Sequence, residues 1–242
     1  MPEALPPPPA TGRVFDSSSR VELSDAAPDG RMRLDALARV LQDSAFGDVR
    51  EAGVADEGTW VMRRCRIVAQ RFPGFDEELR VRTWATGVGA AWAERRTLVE
   101  GVCGGRVEAI ALWVHLDVAT GHPLRLSPRV RAVYGEPATA RRVSGRLRHP
   151  RPPEGLGGHP WVFRASDLDL AGHVNNAAYW ETFEEELAGT PVGPGLDVEM
   201  EHREAAGVGG ARVLRDADRR WVTGEDGTLF ASLLVLHCAP DS

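Results

Sequence analysis

The chain contains no lysine: all 29 of its basic residues are arginine. The formal net charge is −6, so the chain as a whole offers no electrostatic reason to bind nucleic acid or an anionic membrane, and no helix-turn-helix is visible. GC-rich coding accounts for the arginine bias, and the abundant Ala, Gly and Pro point the same way. Cysteine is scarce. Cys65, Cys103 and Cys238 are odd in number and far apart, which excludes a disulfide framework and fits reduced thiols in the cytoplasm. No C-x-x-C or close His spacing is present, so neither a metal nor a redox cofactor is expected. Apolar runs stop short of the roughly 18 residues needed to cross a bilayer. The N-terminus, with Pro2 and Pro6 to Pro9, lacks a basic region followed by an apolar one, and so reads as a short disordered lead-in over residues 1–12 rather than a secretory signal.

What is present is enough for a sizeable core: 242 residues, 43% hydrophobic and 26% charged. A Pro- and Gly-rich stretch over 140–158 reads as a linker between a longer part, 13–139, and a shorter one, 159–242. Arg141, Arg142, Arg146, Arg148 and Arg151 cluster in it without acids. They are either a solvated linker or a fork-shaped grip for phosphate or an acidic protein.

Both parts follow one recipe. In the first, a strand over 13–23 leads to a helix with Leu34, Leu37, Leu41 and Ala45 on one face. Strand-like runs follow at 59–72, 78–88, 91–102 and 106–118. In the second, Trp161 to Ala165 precedes a helix with Asn176, Trp180, Phe183 and Leu187 on one face and Glu181, Glu184 and Glu185 away from it. Runs at 197–203, 211–216, 219–223 and 228–238 complete it. Arg95 to Gly101 and Arg219 to Gly224 echo each other, each leading into a long apolar strand. One helix and a run of antiparallel strands, made twice, predicts an α+β fold with helices on one face of each sheet.

The densest polar cluster runs from Arg164 to Trp180, R-A-S-D-L-D-L-A-G-H-V-N-N-A-A-Y-W, where a strand gives way to a helix. A helix N-terminus presents unpaired N–H groups and a positive dipole end, which suit an oxyanion. Gly172 would let a substrate carbonyl approach the backbone, and a carboxylate just before it can activate water or attack.

D-x-D-x-x-G-H-V-N-N-x-x-Y resembles the signature of hot-dog-fold thioesterases. The wider run, with Trp60-Val61-Met62-Arg63-Arg64, Val81-Arg82-Thr83-Trp84 and Trp113-Val114-His115-Leu116-Asp117, is similar to the acyl-acyl-carrier-protein thioesterases across roughly residues 13–238. That resemblance implies two hot-dog units in one chain, the first shaping the acyl pocket and the second supplying the chemistry. It implies Asp169 as general base or nucleophile, His173 orienting or polarising the thioester, and amides near Asn175 and Asn176 holding the oxyanion. Gly172, Asn176 and Tyr179 would border the substrate, and Arg146 and Arg148 would meet an acidic carrier protein. The substrate would be an acyl thioester of acyl carrier protein or coenzyme A, and the protein a monomer or a homodimer.

Two positions depart from the plant members of that family: Ala171 stands where they carry Asn, and Ala205, next to Glu204, where they carry Glu. A bound but unhydrolysed acyl thioester, as in a sensor, is the alternative those losses raise. Asp169 could also serve only as a helix cap, while Asp167 reads as the structural member of the pair, holding Arg164. Asp43 on the first helix stands near a place where some hot-dog enzymes carry a carboxylate. Most tryptophans of the first part are expected in the core, with one or two closing an acyl tunnel.

Overall fold

The computed structural model describes residues 12–117, 119–138, 143–188 and 192–240; the lead-in over 1–11, Arg141 and Arg142 lie outside them. Ten strands form one antiparallel sheet. The first half holds β1 (Val14–Arg20), β2 (Thr59–Arg71), β3 (Glu78–Val88), β4 (Trp92–Gly101) and β5 (Arg106–Leu116). The second holds β6 (Gly158–Phe163), β7 (Val192–His202), β8 (Gly209–Asp216), β9 (Arg219–Gly224) and β10 (Leu229–Pro240). Their order, β1-β3-β4-β5-β2-β7-β10-β9-β8-β6, is a palindrome about the β2–β7 pair, so each half is the same hot-dog unit turned about that seam. The seam itself is in register from Arg64 opposite Glu201 to Ala69 opposite Leu196. The two segments that echo each other in sequence lie on β4 and β9, the same place in each half.

Alternation across the sheet explains its two faces. Leu196, Val198 and Met200 on β7 point inward with Cys65, Ile67 and Ala69 of β2 and are fully buried. They meet α1 (Leu34–Glu51), whose Leu34, Leu37 and Leu41 fill the same core. Burying each such side chain stabilises by roughly 1.5–3 kcal/mol. Gly53, at φ +68°, ends α1 in the left-handed conformation that a side chain would strain. α2 (Pro128–Ala138) packs on β3 beside the end of α1 and has no counterpart in the sequence reading.

The second half's helix is shorter than its apolar pattern implies: a 3-10 turn over Ala178–Trp180 leads into α3 (Glu181–Leu187). Trp180, Phe183 and Leu187 are buried as expected, but Glu184 is not on the solvent side. It is buried against Arg31, which it meets at 2.5 and 3.2 Å, and its Oε2 accepts the Leu34 N–H at 3.0 Å. α1 has no side-chain cap of its own, and a glutamate from the other half supplies one.

The outward face is a ladder of ion pairs. Arg66 grips Asp197 with two bonds of 2.7 and 2.8 Å, and Arg64 faces Glu199 at 3.6 Å. Residues 143–157 cross this face as an extended strap. The Trp92 indole donates to the Val143 carbonyl, Arg64 to that of Arg146 and Trp221 to that of Pro150. The amides of Arg148 and His149 both donate to the buried Glu201 carboxylate, at 2.6 and 3.0 Å. The linker is thus fixed to both halves, and only its outward side chains are solvated.

Candidate active site

The turn that carries Asp169 is built twice. Ser24-Asp25-Ala26-Ala27-Pro28-Asp29-Gly30-Arg31 in the first half matches Ser166-Asp167-Leu168-Asp169-Leu170-Ala171-Gly172-His173 in the second, residue for residue. Ala27 N–H donates to Arg31 O, and Asp169 N–H to His173 O, both at 2.8 Å. Arg33 N–H donates to Asp25 O, and Asn175 N–H to Asp167 O, also at 2.8 Å. Asp25 and Asp167 each accept the backbone N–H three residues earlier, and Asp167 also holds the Arg164 side chain at 2.9 Å. Gly30 and Gly172 share the positive φ, +85° and +75°. The glycine is therefore required by the turn in both copies. In the first copy the chemical position is Ala27, which is buried, and the basic one is Arg31, spent on Glu184. The second copy places Asp169 and His173 there, both exposed.

Asp169 Oδ1 accepts the Ala171 N–H at 2.8 Å and the His173 N–H at 3.4 Å, which fixes the carboxylate to its own turn. Downstream, Asn175 N–H is committed to Asp167, Ala177 N–H to the Asn175 side chain at 2.9 Å, and Ala178 N–H to Asn175 O at 2.9 Å. The Asn176 N–H makes no hydrogen bond among the described residues. The Leu170 N–H makes none either, so these two amides of the turn are uncommitted.

Asp169, Asn175 and Asn176 line one end of a largely apolar cavity of about 650 Å³. Its other walls come from the first half, including Phe46 and Val49 of α1, Trp60 of β2 and Trp113 of β5. Asp43 and Glu94 line it too, so carboxylates from both halves share one cavity. His173 and Gly172 stand on the exposed side of the same turn, outside this lining. Tyr179 sits in the core instead, edge-on to Phe163 and to His202 at ring-centre distances of 5.1 and 5.2 Å. Burial, with the Asp169 charge adding to it, pushes its phenol up to about 12. Glu204 borders a different and polar cavity with Arg63, Arg151 and Arg203. Arg146 and Arg148 are exposed on the strap, across the sheet from α1 and Asp169.

His149, Glu199 and Glu201 bring ligand atoms within 4.8 Å of one another, a spacing a cation could use. Arg64 and Arg203 already pair with the two glutamates, and both Glu201 oxygens hold strap amides, so the group reads as an ion-pair network. Cys65 lies beneath it, and burial pushes its thiol up to about 12.

Two hot-dog units sharing a sheet, with a carboxylate-bearing turn over an apolar cavity, are the arrangement of a thioester hydrolase. The acyl-ACP thioesterase N-terminal domain matches residues 12–134 and the acyl-ACP thioesterase C-terminal domain residues 157–191, and the chain belongs to the acyl-ACP thioesterase family. An uncharacterized protein of Mycobacterium tuberculosis is 26% identical over 184 residues, covering 76% of this chain and 74% of that one. The chloroplastic palmitoyl-acyl carrier protein thioesterase of Gossypium hirsutum is 23% identical over 188 residues, which span 69% of this chain but only 46% of the cotton protein. The crystal structure of an acyl-ACP thioesterase from Bacteroides thetaiotaomicron shares the fold, with a TM-score of 0.76 at 20% identity over 92% of this chain and 97% of that one.

Proposed function

We propose that the chain hydrolyses fatty acyl thioesters presented by acyl carrier protein, with coenzyme A as the alternative carrier. The observation that carries this reading is that Asp169 and Asn176, whose N–H is uncommitted, line the same largely apolar cavity, most of whose other walls come from the first half. As general base, Asp169 takes a proton from water while the water oxygen bonds to the thioester carbon; the carbonyl oxygen gains its charge against the Asn176 N–H, the C–S bond breaks and the thiol leaves with that proton. As nucleophile, its carboxylate forms the C–O bond and expels the thiolate, and water then cleaves the acyl anhydride, giving a proton to the thiolate and restoring Asp169. His173, on the solvent side of the turn, keeps the polarising role that the family resemblance implies. Thiol release from graded acyl-carrier-protein and acyl-CoA thioesters, with wild type beside Asp169→Asn, tests the assignment. Equal turnover by the two proteins would sink it.

The hold of Asp169 Oδ1 on its own turn favours a second reading, a non-hydrolysing acyl-thioester sensor. Tight binding without thiol release would establish that one. A cytoplasmic setting fits the buried, unreactive Cys65 and the finding that no helix among the described residues is long and apolar enough to cross a membrane. The β2–β7 seam joins the two units within one chain, which supports a monomer as the working unit.

A further inference from the structure

The cavity beside Asp169 runs across the first half and stops at α2. Sheet order gives its course: Trp60 lines it from β2, next to the second half, Trp113 from β5, Ala93 from β4 and Ala85 from β3. From β2 to β3 are three strand spacings, about 14 Å at roughly 4.8 Å each. Beyond Ala85 stands α2, whose Tyr134 lines the end and packs with Ala85, Val130 and Leu126 in one buried cluster. Among the described residues, the second half carries no helix corresponding to α2.

This end wall is fixed. The Tyr134 hydroxyl is buried beside Asp48 and Arg95, so its ring is what remains for the cavity. Arg95 meets Asp48 at 2.6 Å, donates to the Thr83 hydroxyl at 3.2 Å and lies over the Tyr134 ring at 5.4 Å. Asp48, itself fully buried, is also paired with Arg13 at 2.5 Å. These charges are spent on one another, and a ligand that pushed Arg95 aside would strip a buried carboxylate of a partner. Such a wall suits a plain methyl end, which asks for no hydrogen bond.

We propose that α2 sets the length of the acyl chain: Tyr134 over Ala85 is the stop for the methyl end of a plain chain of about twelve carbons. The inference rests on the thioesterase reading above. An extended chain advances about 1.3 Å per C–C bond, so about 14 Å takes roughly eleven bonds beyond the thioester carbon. Trp60 and Trp113 flank the chain rather than close the cavity, which continues past both to β4 and β3. Up to the stop, each added methylene leaves water for an apolar wall and raises kcat/KM about fourfold. Past it, a methylene must displace the ion-paired cluster or stay outside.

The test measures kcat/KM of the whole chain on carrier-protein thioesters of saturated acids from six to eighteen carbons. The profile should peak near twelve carbons and fall tenfold or more by sixteen. Ala85→Leu fills the end of the space and should move the peak down by two to four carbons. Ala93→Leu, one strand nearer Asp169, should move it further down, and Tyr134→Ala should move it up. Each reading is a ratio between chain lengths on one sample, so a loss of folded enzyme cancels. A peak outside ten to fourteen carbons, or one that all three variants leave in place, overturns the proposal and leaves the thioesterase reading standing. If wild type hydrolyses no chain, the thioesterase reading fails. Calorimetric binding of the matching non-hydrolysable thioethers then decides: affinity that peaks near twelve carbons supports the stop, and equal affinity at twelve and eighteen refutes it.

Discussion

Arg31 and Glu184 stand 153 positions apart in sequence and form a buried two-pronged ion pair, with N–O distances of 2.5 and 3.2 Å. The same glutamate accepts the first amide of α1, so one carboxylate ties the turn, the helix and the second half together. Removing it leaves the buried guanidinium only the exposed Asp29, at 3.3 Å, and costs up to about 3–5 kcal/mol. Glu184→Ala should therefore lower the thermal midpoint by roughly ten degrees, by the usual scaling for a chain of this size. Replacing both members with apolar residues should recover much of the loss. Melting curves of the single and double variants check this, and an unaltered midpoint in Glu184→Ala would show that the pair does not couple the halves.

At Asp169 the expected effects separate chemistry from scaffolding. Asparagine keeps the Oδ1 that accepts the Ala171 N–H, so Asp169→Asn should melt like wild type. It loses the basic carboxylate, and turnover should fall about a hundredfold or more. Asp43→Asn, on α1, should cost much less if Asp169 alone is the base. Comparable losses in both variants would instead make the two carboxylates a working pair.

How far the sequence can be read shows in particular residues. The strands are legible because β-period alternation and apolar runs are local signals, and the ends of β3, Glu78 and Val88, coincide with the reading from sequence. The signal for α2 is present but short: Ser127, whose Oγ accepts the Val130 N–H at 3.1 Å, followed by Pro128 at the first helical position. The internal copy of the Asp169 turn is also visible, since S-D, then four residues, then G recurs at 24–30 and 166–172. It escapes a reading by residue type because only three identities mark it, while backbone hydrogen bonds carry the rest. Glu184 cannot be placed from its own helix, because its partner Arg31 lies in the other half. Nor can Asp43 be ranked, since a cavity wall shared by two halves has no signature in either.

His202 ties stability to pH. Its ring is buried edge-on to Tyr179, and neither nitrogen finds a partner. Burial, and then the Arg63 charge, push its pKa down to about 3 from an ordinary 6.5. Between those values the unfolded chain carries a proton that the folded one does not, so lowering the pH favours unfolding. This one group should remove about 1.4 kcal/mol of stability per pH unit below 6.5. In His202→Phe that part of the slope should vanish. Stability near pH 7 should not fall, because no unpaired nitrogen remains to be buried. Denaturant titrations at several pH values distinguish the two proteins, and parallel slopes would mean that His202 does not carry the effect.

The strap yields a prediction about the carrier. The sequence offers Arg146 and Arg148 to an acidic carrier protein, but their backbone lies on the outward face of the sheet, fastened to Arg64 and Glu201. The cavity opens on the helix side, so a carrier seated on the strap would hold its acyl arm on the wrong face. Exposed charges more than a Debye length from the site, about 8 Å at physiological salt, act on it only weakly. Replacing both arginines with glutamate should therefore alter carrier-protein and coenzyme A turnover to the same small extent. A selective loss of the carrier-protein substrate, reversed by added salt, would return the docking surface to the strap. It would also require the acyl arm to reach Asp169 around the edge of the sheet.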